Sequence, residues 1–164
     1  MIVISEATAE DFPVIQKIAY ETWPVAYGAI LSKAQLDYML GLFYSTQMLQ
    51  KNFQNRHRFL LVSEHAQVLG FASYEHHYNQ MNVTRLHKLY VLPESQGKGA
   101  GLVLLSEVEK LAREVMSSAI SLNVNRFNKA YFFYLKNNYE VVGEIDLPIG
   151  GGFLMEDYMM QKKI

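Results

Sequence analysis

Residues 89–101 read Leu89-Tyr90-Val91-Leu92-Pro93-Glu94-Ser95-Gln96-Gly97-Lys98-Gly99-Ala100-Gly101, and the fold turns on this stretch. A β-rich run from Thr84 to Val91 is stopped by Pro93. A periodic segment from Gly101 to Met116 starts where the glycines end, with Leu102, Leu105, Val108, Leu111, Ala112 and Val115 recurring at helical spacing. Strand, loop and helix form one unit. Glycines permit positive φ and close backbone approach where a helix N-terminus leaves its amides unsatisfied. Gln96, Gly97, Lys98, Gly99, Ala100 and Gly101, with Leu102 in the first turn, are therefore expected to cradle a diphosphate, Lys98 adding charge.

Other glycine-loop chemistries fit less well. A Walker loop needs Gly-Lys followed by Ser or Thr, whereas Lys98 precedes Gly99 and Ala100 and leaves no hydroxyl for magnesium. A dinucleotide fingerprint needs a glycine where Leu102 stands and an acid near position 121, where the chain reads Ile120, Ser121, Leu122. A glycine cluster that merely turns the chain is the bland alternative, and three alternating glycines beside Gln96 weigh against it.

Toward the N-terminus, Arg58 to Ser63 and Gln67 to Tyr74 read as a hairpin around Glu64, His65 and Ala66. Ser32 with Gln35 marks the start of a second helical region, which is expected to break around Gly41 to Ser45. Thr8 with Asp11 resembles a capping box opening a helix through Phe12, Ile15, Ala19 and Trp23, with Pro24 as its stop and Trp23 to Leu31 as a loop. A short strand, Met1 to Ser5, comes first.

Toward the C-terminus, Ala119 to Asn125 alternates, with Ile120, Leu122 and Val124 on one face and Ser121, Asn123 and Asn125 on the other. Asn128 to Asn137 is a short aromatic helix, followed by closing strands at Tyr139 to Ile145 and Phe153 to Lys162. The order of elements implies one α/β or α+β domain over 1–164 with a mixed sheet.

Bulk properties narrow the function. Fifteen Lys and Arg against sixteen Asp and Glu leave a formal charge of −1, so no broad basic surface serves nucleic acid or an anionic membrane. There is no cysteine, which excludes a disulfide scaffold, a thiolate metal site and a cysteine nucleophile, and fits a reducing compartment. No signal peptide is read at Met1 to Glu6, and no run reaches the roughly 18 apolar residues of a membrane span. A cytoplasmic enzyme is expected. No metal-ligand spacing stands out, so no metal is expected.

The string Leu89 to Gly101 closely resembles the strand and the Gln/Arg-x-x-Gly-x-Gly/Ala loop of the GNAT superfamily of N-acetyltransferases. Asn125, Asn128, Ala130, Phe133 and Tyr134, then Asn138 and Tyr139, resemble its later Asn-x-x-Ala-x-x-Phe-Tyr-x-x-x-Gly-Phe segment. The first spacing is altered, and Asn-Tyr stands for Gly-Phe. Asparagine also tolerates the left-handed stop. The ending Gly151 to Lys162 and the segment Trp23 to Leu31 look most like the small-amine branch that includes PaiA-type polyamine acetyltransferases.

The resemblance implies a mixed, mostly antiparallel sheet of about seven strands flanked by about four helices, acetyl-CoA as cofactor, a small-molecule amine as acceptor, and a homodimer as a common assembly. It implies that backbone groups of Leu89, Tyr90 and Val91 pair with the pantetheine like an added strand, and that the loop holds the pyrophosphate. Asn128 would reach the pantetheine or phosphate region, and Lys136 the adenosine end. A strand amide near Leu89 or Tyr90 would receive the oxyanion.

Acyl transfer to an amine needs a neutral amine, oxyanion donors and a proton for the leaving thiolate. Tyr134 matches the family's general acid, and a phenol with a pKa of about 10 is protonated at neutral pH. Its plainer reading is a core tyrosine at helical spacing from Tyr131. His87 stands on a strand where related enzymes often carry a glutamate base, and His76 and His77 are alternatives. Trp23, Tyr27 and Tyr78, with Tyr38 and Tyr74, are expected to line an acceptor pocket beside Glu21, Asp37, Glu75 or Glu156, an environment suited to a cationic amine. Core packing and a solvated surface are the ordinary alternatives for aromatics and acids alike. A non-catalytic CoA-binding regulatory domain, or an enzyme acting on a protein or peptide amine, are the competing functions.

Overall fold

The computed structural model describes residues 1–164 and contains seven strands and five helices. The elements run β1 (Ile2–Glu6), α1 (Phe12–Tyr27), α2 (Lys33–Tyr44), α3 (Thr46–Gln54), β2 (Arg58–Glu64), β3 (Gln67–Glu75), β4 (Val83–Val91), α4 (Ala100–Glu114), β5 (Ala119–Asn125), α5 (Ala130–Lys136), β6 (Glu140–Gly150) and β7 (Phe153–Lys163). They form one sheet ordered β1-β2-β3-β4-β5-β7-β6, in which every neighbouring pair is antiparallel except β4 and β5.

Both faces of the sheet are covered, and β2 shows why. Leu60 and Val62 pack toward α4 with Leu104, Leu105 and Val108, while Phe59 and Leu61 pack toward α1–α3 with Ile15, Ile18 and Leu49. Successive side chains of a strand point to opposite faces, so a run of consecutive apolar residues serves two cores. Each fully buried Ile, Leu or Phe contributes about 1.5–3 kcal/mol of transfer free energy.

Local signals act as their chemistry requires. The Thr8/Asp11 capping box is formed, and Ser32 Oγ accepts from Gln35 N at 3.1 Å. The β2–β3 turn holds His65 and Ala66 at φ of 50° and 64°, the left-handed pair of a two-residue hairpin. Asn138 takes the left-handed φ of 68° that ends α5.

Three boundaries differ from the sequence reading by more than two residues; one is β6, which runs on to Gly150 where the reading stopped at Ile145. Pro24 does not end α1, because the helix continues to Tyr27 and Gly28 N donates to the Pro24 carbonyl at 3.0 Å. A proline inside a helix removes one hydrogen bond, and the burial of Trp23 and Tyr27 offsets that loss. The second helical region breaks at Ser45 alone, whose Oγ caps α3 by accepting from Met48 N, while Gly41 stays helical.

The decisive irregularities are in β4. Its parallel pairing with β5 covers only Val83 to Leu86, opposite Ala119 to Leu122; beyond that the two strands part. Against β3, Ser73 pairs with Lys88 but Tyr74 with Leu86, leaving His87 as an extra residue in a bulge. The bulge shifts the alternation. Leu86 and Leu89 both pack toward α4, while His87 and Lys88 both lie on the α1–α3 side, His87 against His57 and Lys88 over Tyr44 and Phe59.

Candidate active site

The parting of β4 and β5 opens a cleft of about 1260 Å³ that runs from the glycine loop to the space beneath α1 and α2. Single-ligand pockets measure about 300–1,000 Å³, so this cleft has room for two reactants end to end.

At one end lies the loop. Gly97 and Gly99 have φ of 79° and 85°, in the region that favours glycine. The amides of Gly97, Lys98, Gly99, Ala100, Gly101 and Leu102 donate to no acceptor within the protein, since the first bond of α4 runs from Val103 N to Gly99 O. Six N–H groups in sequence, at the positive end of a fifteen-residue helix, make an anion site. Ideal Cβ atoms at Gly97 and Gly99 would meet nothing within 4 Å, so the glycines serve conformation, not close packing. The residues present fit a diphosphate.

Along the cleft runs the free edge of β4. Leu92 N bonds back to Leu69 O at 2.8 Å. Alternation along an antiparallel pair then turns the N–H and C=O of Tyr90 toward β3 and those of Leu89 and Val91 toward the parted side. Of the two oxyanion amides expected, Leu89 is the one that faces the cleft.

Tyr134 stands on the cleft wall from α5 and is 7% exposed; its hydroxyl has no hydrogen-bond partner in the protein, and burial pushes its pKa up, so it remains protonated. Tyr27 and Tyr90, both lining the cleft, share a hydrogen bond of 3.0 Å. Asn128 lines the cleft too, but its Oδ1 accepts from Ala130 N at 2.9 Å and opens α5. Leu89, Val91, Gln96, Gly97, Gly99, Ala100, Gly101, Leu102, Lys136 and Trp23 also line it; Lys98 and Tyr78 do not.

The acceptor end differs from expectation. Glu21 and Asp37 face outward against Lys17 and Lys33, and Glu156 approaches Arg126. Tyr38 reaches the Ile149 carbonyl, and Tyr74 is buried in the α4 core. None of these five lines the cleft. Glu21, Asp37 and Tyr38 sit on α1 and α2, Tyr74 and Glu156 on β3 and β7, and which way each element turns a side chain is set by tertiary packing, not by its interval in sequence.

In their place stand Arg85, Lys88, Asn123 and Asp157. Lys88 is held down to about 8 by burial. Asp157, 3% exposed, is pushed up to about 6 by burial, against the pull of Arg126 and Arg85. The alternation of β5 and β7 was the only signal in the sequence for Asn123 and Asp157, because register pairs Asn125 with Asp157 and sets their shared face.

His87 lines the cleft, yet it is tied into a trio. Its Nε2 lies 3.0 Å from Glu75 Oε1, His57 Nε2 lies 3.3 Å from the same oxygen, and the two rings stack at 4.0 Å. Burial, His57, Lys88 and Arg85 hold His87 down to about 2, and burial with Lys88 holds His57 down to about 4. These three groups are the one His/Glu cluster close enough to share an ion, and no spacing announced it. Two stacked rings held on one carboxylate oxygen, with Lys88 near both, suit a neutral, hydrogen-bonded stack. His76 faces elsewhere, bonded to Thr84 Oγ1 at 2.8 Å, and His77 is an exposed turn residue.

The chain is similar to known acetyltransferases. The sequence model of the acetyltransferase (GNAT) family matches residues 13–143. The uncharacterized N-acetyltransferase YuaI of Bacillus subtilis is 27% identical over 95% of this chain and 90% of its own. The spermidine N(1)-acetyltransferase of Thermoplasma acidophilum is 28% identical over 93% of this chain and 94% of its own. The crystal structure of PaiA N-acetyltransferase from Thermoplasma acidophilum, in complex with coenzyme A, superposes with a TM-score of 0.80 and 25% identity, covering 100% of this chain and 99% of that one.

Proposed function

The chain belongs to the acetyltransferase (GNAT) family, and from that premise we propose that it transfers an acetyl group from acetyl-CoA to the primary amine of a small molecule, polyamine-like, amino acid or similar, by direct attack with both reactants bound. It is an acetyl-CoA-dependent N-acetyltransferase. The observation that carries the acceptor class is the apolar lining of the cleft away from the glycine loop, where Trp23, Met39 and Phe43 from the helices meet Ile149 and Met155 from the β6–β7 hairpin. A concave, mostly apolar lining with a few polar groups is the usual form of a small-molecule site.

Acetyl-CoA supplies the acetyl group as an activated thioester. Loop amides 97–102 would hold its diphosphate, and the Leu89 and Val91 backbone would pair with its pantetheine as an added strand. The Leu89 N–H would donate to the acetyl oxygen as charge develops there. Tyr134 would give its proton to the departing sulfur. The amine proton needs a base with a pKa near working pH, and Asp157 at about 6 meets that requirement better than His87, whose nitrogen is suppressed and whose Nε2–H is committed to Glu75. His87 then serves as a wall of the acceptor chamber.

A cysteine-free chain using acetyl-CoA fits the cytoplasm, and light scattering of the purified chain tests the homodimer. The function itself is tested by thiol release from acetyl-CoA across a panel of amines. Turnover with small amines supports it; acetyl-CoA binding without turnover on any amine would establish a regulatory binder instead.

A further inference from the structure

The acceptor chamber carries the wrong charge for a polyamine. A molecule with several ammonium groups calls for several carboxylates, yet Asp157 is the one carboxylate among the residues lining the whole cleft. Opposed to it are Arg85 and Lys88, on the α1–α3 side of β4. Lys88 forms no ion pair; its ammonium lies over the rings of Tyr44 and Phe59 at 5.7 and 5.8 Å. Arg85 has no carboxylate within ion-pair distance, only a 3.4 Å hydrogen bond to Ser121 Oγ and the Tyr78 ring at 5.2 Å.

Two cations without partners in a half-buried wall are costly unless something of opposite charge arrives. Unused polar groups surround them. Ser73, the register partner of Lys88 and 0% exposed, has an unpartnered Oγ, and the Tyr44 hydroxyl is equally unpartnered at 1% exposure. Asn123, on the adjoining strand, has a buried Oδ1 with no hydrogen-bond donor. The chamber thus has Arg85, Lys88 and Tyr44 on one side, with Ser73 behind them outside the lining, and the Asn123 and Asp157 oxygens on the other.

We propose that the acceptor carries its own carboxylate, received by Arg85 and Lys88, while its amine faces Asp157 and the Asn123 side-chain oxygen. This rests on the reading of the chain as a small-amine acetyltransferase and narrows it to free amino acids. The Met39, Phe43, Ile149 and Met155 lining selects those with apolar side chains. Lys88 sits in the cleft only because the His87 bulge turns it to the same face as Arg85 and His87.

The experiment measures acetyl transfer from acetyl-CoA to leucine, methionine and phenylalanine, each against its own carboxamide, and to spermidine. The carboxamide keeps the amine and side chain and removes only the anionic charge. The expected result is kcat/KM at least about 10-fold higher for the free acids. Arg85→Gln and Lys88→Met should each erase that preference by raising KM for the acid more than for its carboxamide, so that the ratio of the two falls toward 1. Two variants are used so that a folding failure in one, read from its thermal melt, leaves the other decisive. Preference for spermidine or the carboxamides in the unaltered protein overturns the carboxylate assignment and leaves the acetyltransferase standing. Failure on every amine despite acetyl-CoA binding overturns both.

Discussion

The hydroxyls of Tyr27 and Tyr90, 63 residues apart in sequence, lie 3.0 Å from each other and join the last turn of α1 to the free stretch of β4. The contact closes the cleft beneath α1 at the level where β5 has already left β4. It exists because α1 runs past Pro24; a helix ended there would leave Tyr27 in a loop.

Tyr27→Phe is expected to lower stability by about 1 kcal/mol, since one buried hydrogen bond is lost and the Tyr90 hydroxyl is left without a partner. Denaturant unfolding measures it. A change indistinguishable from zero would mean that water replaces the bond.

Tyr134→Phe removes one oxygen from a hydroxyl that has no other task in the protein. We expect kcat to fall by about 10²-fold or more, with acetyl-CoA affinity and melting temperature little changed. Steady-state kinetics with calorimetric titration of acetyl-CoA separate this from a packing role, which would lower stability and affinity together.

Gly99→Glu places a side chain on a backbone at φ of 85°, a conformation that costs an L-residue about 1–2 kcal/mol, and adds a carboxylate beside the unpaired amides. Calorimetry should show acetyl-CoA affinity falling by more than about 100-fold, the sum of strain and like-charge repulsion. Retained affinity would place the diphosphate elsewhere.

Asp157→Asn and His87→Gln divide the two candidate bases. With Asp157 as base, kcat/KM rises with pH as its carboxyl ionises around 6, and the Asn variant loses that limb together with about 10²-fold of rate. His87→Gln should retain the limb. The reverse pattern in the two pH profiles would return the role to His87.

Lys88→Met bears on stability. The ordinary lysine value of 10.5 falls to about 8 in the folded chain, so below pH 8 the fold carries an ammonium that it disfavours. Between 8 and 10.5 the folded state sheds that proton before the unfolded state does, and the penalty fades. The methionine variant should therefore melt higher than the parent at pH 7, by at most about 3 kcal/mol in stability, with the gap closing toward pH 10.5. A constant gap across that range would indicate improved packing, not relief of charge.

What consecutive residues decide, the sequence by itself made legible. Whether Gly97 and Gly99 adopt positive φ, whether Thr8 and Asp11 close a capping box, and whether His65-Ala66 turns a hairpin are settled within a few bonds of the residues concerned. The strand-loop-helix unit at 84–116 and the alternation of Ala119 to Asn125 follow from the same short-range rules, and so do the unpaired amides at the start of α4. The tyrosine at 134, singled out by its motif, lines the cleft.

Tertiary structure alone decided the parting of β4 from β5, the bulge at His87 and the charge of the acceptor chamber. Each depends on the register between strands far apart in the chain, and a one-residue shift moves a side chain to the opposite face. Lys88 shares a face with Arg85 only because His87 is extra, and Asp157 joins them only because β7 pairs with β5. None of the acids singled out in the sequence lines the cleft: Glu21 and Asp37 face outward from α1 and α2, Glu75 binds the His57–His87 stack and Glu156 approaches Arg126. Proximity in space was set by pairings that no local pattern contains.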